Sequence, residues 1–197
     1  MLKARIFVDF WNFQLSVIDI EGDKYRIDWT KLSPWLMQEA RSIVDPNLSF
    51  EGMGVYLSYN PRRPEDMKLR YWANNFLDRI SGVDVSMVER RPKNPPVCPS
   101  CHRVIDPCPY CSASTSGTIE KGVDTAIVTD LFSLAWEAAW DVAILVTSDR
   151  DFIPAVNMLH RKGLKVINAH FPPDGMELAK TCWFSLDLRL ALPQINR

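Results

Sequence analysis

Four aspartates stand where the chain changes from one apolar pattern to the next. Asp9 closes the apolar run "ARIFVDF", and Asp149 and Asp151 follow the run at 141–147 with an arginine between them. Asp124 stands in "KGVD", at the start of a long helical pattern. Carboxylate oxygens are the ligands that Mg²⁺ and Mn²⁺ prefer, and a group of acids is costly unless a cation neutralises it. Such a cation can hold a phosphate oxygen and activate water, so the pattern predicts a divalent-metal site for phosphoester hydrolysis.

Each of these residues also has an ordinary structural explanation. Asp9 can simply end a strand and begin a turn. Asp124 suits the first turn of a helix, where negative charge is favourable on dipole grounds. Asp151, and Asn12 three residues after Asp9, can be helix caps. We favour the metal site because Asp9 and Asn12 occur together in one short motif, "VDFWN".

Four of the five cysteines lie in "CPSCHRVIDPCPYC", a C-x2-C-x6-C-x2-C pattern formed by Cys98, Cys101, Cys108 and Cys111. Each C-x2-C pair makes a tight turn that directs two thiolates at one point, and two such turns complete a tetrahedral zinc site. Two disulfides are the alternative, but the N-terminus has no secretory pattern, which favours a reducing compartment and zinc. His102 is a spare ligand, whereas Cys182 is expected to be a small core residue.

Basic residues are concentrated in the middle of a chain whose formal net charge is only −1. Residues 62–103 contain nine Lys or Arg and five Asp or Glu, whereas the remainder contains 14 and 19. This asymmetry is a hint of a polyanionic partner, although solvated helix faces give the same pattern. The residues predicted to contact nucleic acid lie beside the cysteines or before the long helix: Arg90, Arg91, Lys93, Arg103 and Lys121.

Apolar runs alternate with longer helical patterns along the chain. Strands are predicted at 4–10, 52–59, 83–89, 141–147 and 164–171, and helices at 29–44, 64–80, 121–140 and 151–163. Apolar runs separated by helices are typical of an α/β fold, with a parallel sheet covered by helices on both faces. The cysteine segment, residues 94–118, has proline-rich and serine-rich flanks and is predicted to be a zinc ribbon inserted between 1–93 and 119–197. The tail after residue 171 gives no clear pattern.

The predicted sheet suggests where these side chains meet. Ligands of parallel α/β sheets bind outside the carboxyl ends of the strands, where the strand order reverses. Asp9 ends the first predicted strand and Asp149 follows the fourth, so both face one crevice if those strands are neighbours. Asn12 can face the same place. Asp124 begins the helix that leads into the fourth strand and is expected near the same edge.

Three motifs in this order resemble the NYN domain, the LabA-like branch of the PIN-like nucleases. They are "VDFWN" (8–12), "KGVD" (121–124) and "SDRDF" (148–152). The resemblance implies a PIN-like fold with a central parallel sheet, a divalent-metal site and ribonuclease activity. It also implies that Asp9, Asp124 and Asp149 are metal-binding positions, that Asp151 is the second aspartate of its motif, and that Asn12 is the motif asparagine. The cysteine segment is not part of the resemblance.

The sequence therefore predicts a Mg²⁺- or Mn²⁺-dependent ribonuclease with RNA as its partner and a structural zinc ion. A nucleic-acid-binding or adaptor module with weak or no catalysis is one alternative, and a phosphohydrolase of small phosphoesters is another. The presence of every candidate ligand argues against the first, and the basic middle argues against the second. No segment suits a membrane span, and a cytoplasmic location is expected. The zinc ribbon can hold substrate, close a loop, or bind a protein partner or a second copy of the chain.

Overall fold

Parallel strands form the centre of the structure, a computed structural model that describes residues 1–197. The strands are β1 (Lys3–Asp9), β2 (Ser49–Tyr59), β3 (Val83–Glu89), β4 (Arg91–Lys93), β5 (Gly117–Ile119), β6 (Val142–Val146), β7 (Lys165–His170) and β8 (Phe184–Asp187). Six of them make one sheet in the order β3-β2-β1-β6-β7-β8, and every pair in it is parallel. The other two, β4 and β5, form a separate antiparallel hairpin.

Seven α-helices lie between or after these strands. They are α1 (Phe10–Glu21), α2 (Trp29–Ile43), α3 (Pro64–Asn75), α4 (Val123–Trp136), α5 (Ile153–Arg161), α6 (Met176–Thr181) and α7 (Leu192–Ile195). None of the helices combines the length and the apolarity that crossing a membrane requires.

The sheet is buried on both faces, which is why its strands read as continuous apolar runs. Side chains alternate along β1, so Ile6 and Val8 belong to one hydrophobic core and Phe7 belongs to the other. The larger core includes Phe13 and other residues of α1 and α2, and the smaller core includes Ile127 and other residues of α4 and α5. The predicted α/β architecture with helices on both faces is confirmed.

Every predicted strand and helix is present, but several ends differ. The helix predicted at 64–80 stops at Asn75 and continues as a short 3-10 turn, Leu77–Arg79. The helix predicted at 121–140 begins only at Val123, because Gly122 has a φ of 108°, a conformation that a helix interior does not allow. Three regions were not predicted: α1, which follows β1 without an intervening loop, the hairpin of β4 and β5, and the tail that forms α6, β8 and α7.

The strand order reverses between β1 and β6. From β1 the chain moves outward through β2 to β3, and it then returns to place β6 on the other side of β1. Val8 of β1 pairs with Val146 of β6, so Asp9 and the residues after Val146 leave the sheet at the same edge. The two strands are neighbours, so the condition under which Asp9 and Asp149 face one crevice is met.

The cysteine segment projects from the far end of the hairpin. Arg91 pairs with Ile119 and Lys93 pairs with Gly117, so the two ends of the segment are held side by side. Beyond them a single bridge joins Val97 to Val104. The segment therefore leaves and rejoins the main fold at one place, directly before the residues that lead into α4.

Candidate functional site

Asp9 lies at the end of β1 and caps α1. Its carboxylate accepts a hydrogen bond from the Asn12 N–H (3.2 Å) and another from the Thr147 hydroxyl (3.3 Å). The side chain is buried, with only 7% of the residue exposed. Burial, together with the negative charges of Asp124 and Glu120, raises the pKa of Asp9 to about 6 against the opposing effect of the two hydrogen bonds. A carboxyl group held this way favours a compensating cation.

Asn12 joins the start of α1 to the loop after β6. Its side-chain carbonyl accepts a hydrogen bond from the Ser148 N–H at 2.8 Å. The capping interaction of α1 comes from Asp9, so the alternative explanation of Asn12 as a helix cap is wrong. Asn12 instead fixes the distance between the two strand ends that carry Asp9 and Asp149.

Asp149 and Asp151 lie in the short segment that follows β6. Asp149 caps a 3-10 turn, Arg150–Phe152, and its carboxylate accepts from the Asp151 N–H at 2.8 Å. Its own N–H donates to the Thr147 hydroxyl at 3.2 Å. The alternative explanation of Asp151 as a cap is wrong, because the capping residue is Asp149. The Asp151 side chain is exposed.

Asp124 stands in the first turn of α4, where its side chain is largely exposed. Its pKa is raised by partial desolvation and then by the charges of Asp149, Glu120 and Asp151. The fold therefore places Asp124 within electrostatic reach of Asp9, Asp149 and Asp151, near the carboxyl ends of β1 and β6.

Glu120 is a fifth acid of this group, which we name the acidic crevice: Asp9, Glu120, Asp124, Asp149 and Asp151. Glu120 raises the pKa of both Asp9 and Asp124. Its carboxylate accepts from the Ser58 hydroxyl at the end of β2 and forms an ion pair with Arg90 (3.3 Å). The sequence analysis missed it, because its partners are distant in sequence and only its position beside "KGVD" points to it.

Gly175 supports the loop that carries Asp149. Its φ is +77°, and a Cβ added there would lie 2.9 Å from the Ser148 Cα and 3.1 Å from the His170 Cβ. No side chain fits this position without displacing the backbone next to Asp149. The sequence analysis did not single out this glycine.

Nowhere in this structure do three metal-binding side chains come close enough together to hold an ion. This is true of the acids and of the cysteines. The acids interact through charge without sharing a common point. Mutual repulsion keeps bare carboxylates apart, and a cation removes that repulsion. The donor set fits Mg²⁺ or Mn²⁺, which take carboxylate oxygens and fill the remaining positions with water.

The two C-x2-C pairs fold into the same backbone turn. In the first, the Cys98 N–H donates to the Arg103 carbonyl (2.9 Å), and the Cys98 carbonyl accepts from the His102 N–H (2.8 Å). Cys108 makes the corresponding pair of bonds, at 2.8 and 2.9 Å. The residue after the second cysteine of each pair, His102 or Ser112, has a φ of 58°. Two copies of one turn are what the spacing predicted.

In each pair, the first cysteine has a lowered thiol pKa, which favours the thiolate form. The pKa values of Cys98 and Cys108 are lowered, chiefly by backbone N–H groups two and three positions ahead and then by the thiol of the paired cysteine. All five cysteines are free thiols. Burial raises the pKa of Cys182 to about 12, which agrees with its predicted role as an inert core residue.

The predicted nucleic-acid-binding residues fall into two groups. Arg90 is half-buried, and its guanidinium contacts Glu120, the Ser58 hydroxyl (3.0 Å) and the ring of Trp11, with 5.5 Å from its carbon to the ring centre. The other four are exposed: Arg91, Lys93, Arg103 and Lys121. Arg90 is therefore a structural partner of the acidic crevice, whereas the other four are free to meet a polyanion.

A family model for the NYN domain matches residues 55–183, which is more than half of the chain, and the chain belongs to this family. The family lies in the PIN-like nuclease superfamily, whose members are generally nucleases and generally use divalent metals. The matched residues include Asp124, Asp149 and the cysteine segment, whereas Asp9 and Asn12 lie outside them and join the site through the fold.

A crystal structure of a protein of unknown function from Vibrio parahaemolyticus has the same fold, with a TM-score of 0.58 and 16% sequence identity. The alignment covers 95% of this chain and 93% of that one. No curated protein matches the chain.

Proposed function

We propose that the protein is a divalent-metal-dependent ribonuclease of the LabA-like branch, which hydrolyses RNA phosphodiesters at the acidic crevice. The observation that carries the proposal is the state of Asp9. This carboxyl group is buried beside two other acids, and its pKa rises to about 6. Its immediate surroundings provide two hydrogen-bond donors and no cationic side chain. A cation is the partner that this arrangement lacks.

The side chains of the crevice have distinct tasks in this proposal. Asp9, Asp124 and Asp149 hold the ion, while Asn12 and Thr147 keep Asp9 and the loop of Asp149 in register. A bound Mg²⁺ or Mn²⁺ would supply Lewis-acid stabilisation of the phosphate and an activated water. Two further acids, Glu120 and Asp151, add negative charge that increases affinity for the cation.

We further propose that residues 94–118 form a zinc-binding element, with the four clustered cysteines as ligands. Two identical turns and two sulfurs with lowered pKa support this. A cytoplasmic location, where thiols stay reduced, is part of the same proposal. Metal analysis of the reduced protein should find one Zn²⁺ per chain. The ion should be lost in Cys108→Ser and kept in Cys182→Ser, and a zinc-free protein with two disulfides would refute the element.

The main experiment incubates the purified protein with RNA and DNA of matched sequence in Mn²⁺, Mg²⁺ or EDTA. The proposal predicts cleavage of RNA that requires Mn²⁺ or Mg²⁺ and stops in EDTA. Binding of RNA without cleavage in either metal would instead indicate a nucleic-acid-binding or adaptor module. Hydrolysis of small phosphoesters with no action on RNA would indicate a phosphohydrolase.

A further inference from the structure

An aromatic cavity opens beside the acidic crevice and has no part in the chemistry described above. Its volume is about 350 Å³, and it lies between α1, the segment before α2, and α3. Five of its twelve lining residues are aromatic: Phe10, Trp11, Tyr25, Trp29 and Trp72. Phe10 and Trp29 are buried behind it, whereas the other three are half-buried and present surface to the cavity. We name this feature the aromatic pocket.

Trp11 is the wall that the aromatic pocket shares with the acidic crevice. It follows Asp9 by two residues, and its indole N–H donates to the Ser58 carbonyl at 2.8 Å. The hydroxyl of the same Ser58 donates to Glu120, and Arg90 covers the Trp11 ring while pairing with Glu120. These contacts connect one wall of the aromatic pocket to Glu120 of the acidic crevice.

The charges around the aromatic pocket define what can occupy it. Two exposed arginines, Arg26 and Arg197, line one side, where the Arg197 N–H donates to the Arg26 carbonyl. Two carboxylates, Glu65 and the buried Asp66, line the other side. The carboxylates disfavour an anion inside the pocket, whereas the arginines favour one at the rim. The occupant with these properties is a flat neutral ring attached to a phosphate.

We propose that the aromatic pocket binds one nucleobase of single-stranded RNA, with an adjacent phosphate at the arginine rim. Every base has a face that stacks on an aromatic side chain, and a base in a duplex is already paired and stacked, so only an unpaired strand can deliver one. The inference rests on the proposed ribonuclease function and adds its substrate class. It gives the enzyme a preference for single strands that the acidic crevice alone does not provide.

The first test needs no variant. The parent protein in EDTA is titrated into two fluorescein-labelled ten-nucleotide RNA strands, one an oligouridylate and the other the same chain with every base removed. Both strands carry the same phosphates, so anisotropy isolates the contribution of the bases. Stacking of one base predicts roughly tenfold tighter binding of the complete strand. Equal dissociation constants for the two strands would overturn the proposal.

The second test assigns the effect to Trp11. Trp11→Leu should abolish most of the difference between the two strands, and Trp11→Phe, which keeps an aromatic face, should restore it. The matched control is Trp183→Leu, which removes a tryptophan that is 42% exposed beside β8 and outside the pocket. If Trp11→Leu leaves the difference intact, or if Trp183→Leu removes it equally, the pocket is not the site. Should Trp11→Leu fail to fold, the parent experiment still decides.

The two proposals fail in different ways. If the protein discriminates between the strands in EDTA but cuts RNA in no metal, the ribonuclease is refuted and the base pocket stands. If it cuts RNA with Mn²⁺ but binds both strands equally, the pocket is refuted and the ribonuclease stands. Cleavage of RNA with equal binding of the two strands is also the result expected if the pocket binds an aromatic segment of a protein instead of a base.

Discussion

Replacing Asp9 with Asn should stabilise the metal-free protein at neutral pH. Asn keeps the shape of the side chain, and its Oδ1 can accept from the Asn12 N–H, so the cap of α1 survives. Its NH2 group replaces the oxygen that faces Thr147, so the hydrogen bond with the Thr147 hydroxyl is kept only with the direction reversed. What it removes is a buried negative charge. The pKa of Asp9 rises from 3.8 to about 6, and each unit corresponds to 1.36 kcal/mol, so the ionised side chain costs on the order of 3 kcal/mol.

The cost of the ionised Asp9 side chain increases with pH. Because the pKa of Asp9 is higher in the folded state than in the unfolded state, folding takes up a proton between about pH 4 and pH 6. The favourable contribution of protonated Asp9 is complete below pH 4 and is lost as the pH rises through 6. Parent and Asp9→Asn should therefore be nearly equal at pH 4, and the variant should be more stable by about 1–3 kcal/mol at pH 7.5.

Urea unfolding in EDTA at both pH values measures this difference. The matched control is Asp19→Asn, which makes the same change at an exposed position of α1. A cation offsets this difference, because Mn²⁺ at a hundred times its dissociation constant adds about 2.7 kcal/mol to a protein that binds it and nothing to one that does not. An Asp9→Asn protein that is less stable than the parent at pH 7.5 without metal, or a difference that ignores pH, would refute this account of the acidic crevice.

Three other changes test parts of the account. The pair Arg91→Ala and Lys93→Ala should weaken RNA binding and lower the salt slope by roughly 0.7 for each lost phosphate contact, measured by anisotropy from low to high salt; an unchanged slope would leave the hairpin without a role in binding. Gly175→Ala should lower the unfolding free energy by more than Gly163→Ala, which has a similar φ of +80° but open space around it, and should also reduce cleavage; equal losses would show that the contact with the Asp149 loop does not matter. Glu120→Gln should raise the Mn²⁺ concentration needed for half-maximal cleavage without loss of fold, and an unaltered Mn²⁺ titration would exclude Glu120 from the site.

The sheet could be predicted from the sequence because its strands are buried on both faces. β6 is five consecutive buried residues, a pattern typical of a strand in a parallel sheet that is covered on both faces. The neighbourhood of Asp9 and Asp149 followed from the same pattern, since parallel strands place their carboxyl ends at one edge. Helix α1 escaped prediction because Asp9 ends β1 and caps α1 at once, which leaves no loop residues to mark the change.

The rest of the site depends on contacts between distant parts of the chain. Glu120 lies in the acidic crevice because the pairing of β4 with β5 brings it next to Ser58 and Arg90. No local sequence pattern predicts this contact. Arg90 looked like a free cation beside the cysteines, yet the fold turns it inward against Trp11. The aromatic pocket combines α1, α3 and the last residue of the chain, which only the tertiary structure brings together.

The most direct test of the central claim compares RNA cleavage by the parent, Asp149→Asn and Asp19→Asn across a Mn²⁺ titration. Asp149 lies in the acidic crevice and Asp19 does not, although both variants lose one negative charge. The account predicts metal-dependent cleavage by the parent and by Asp19→Asn, and loss of cleavage in a folded Asp149→Asn protein. Cleavage by Asp149→Asn at the parental rate and the parental Mn²⁺ dependence would contradict it.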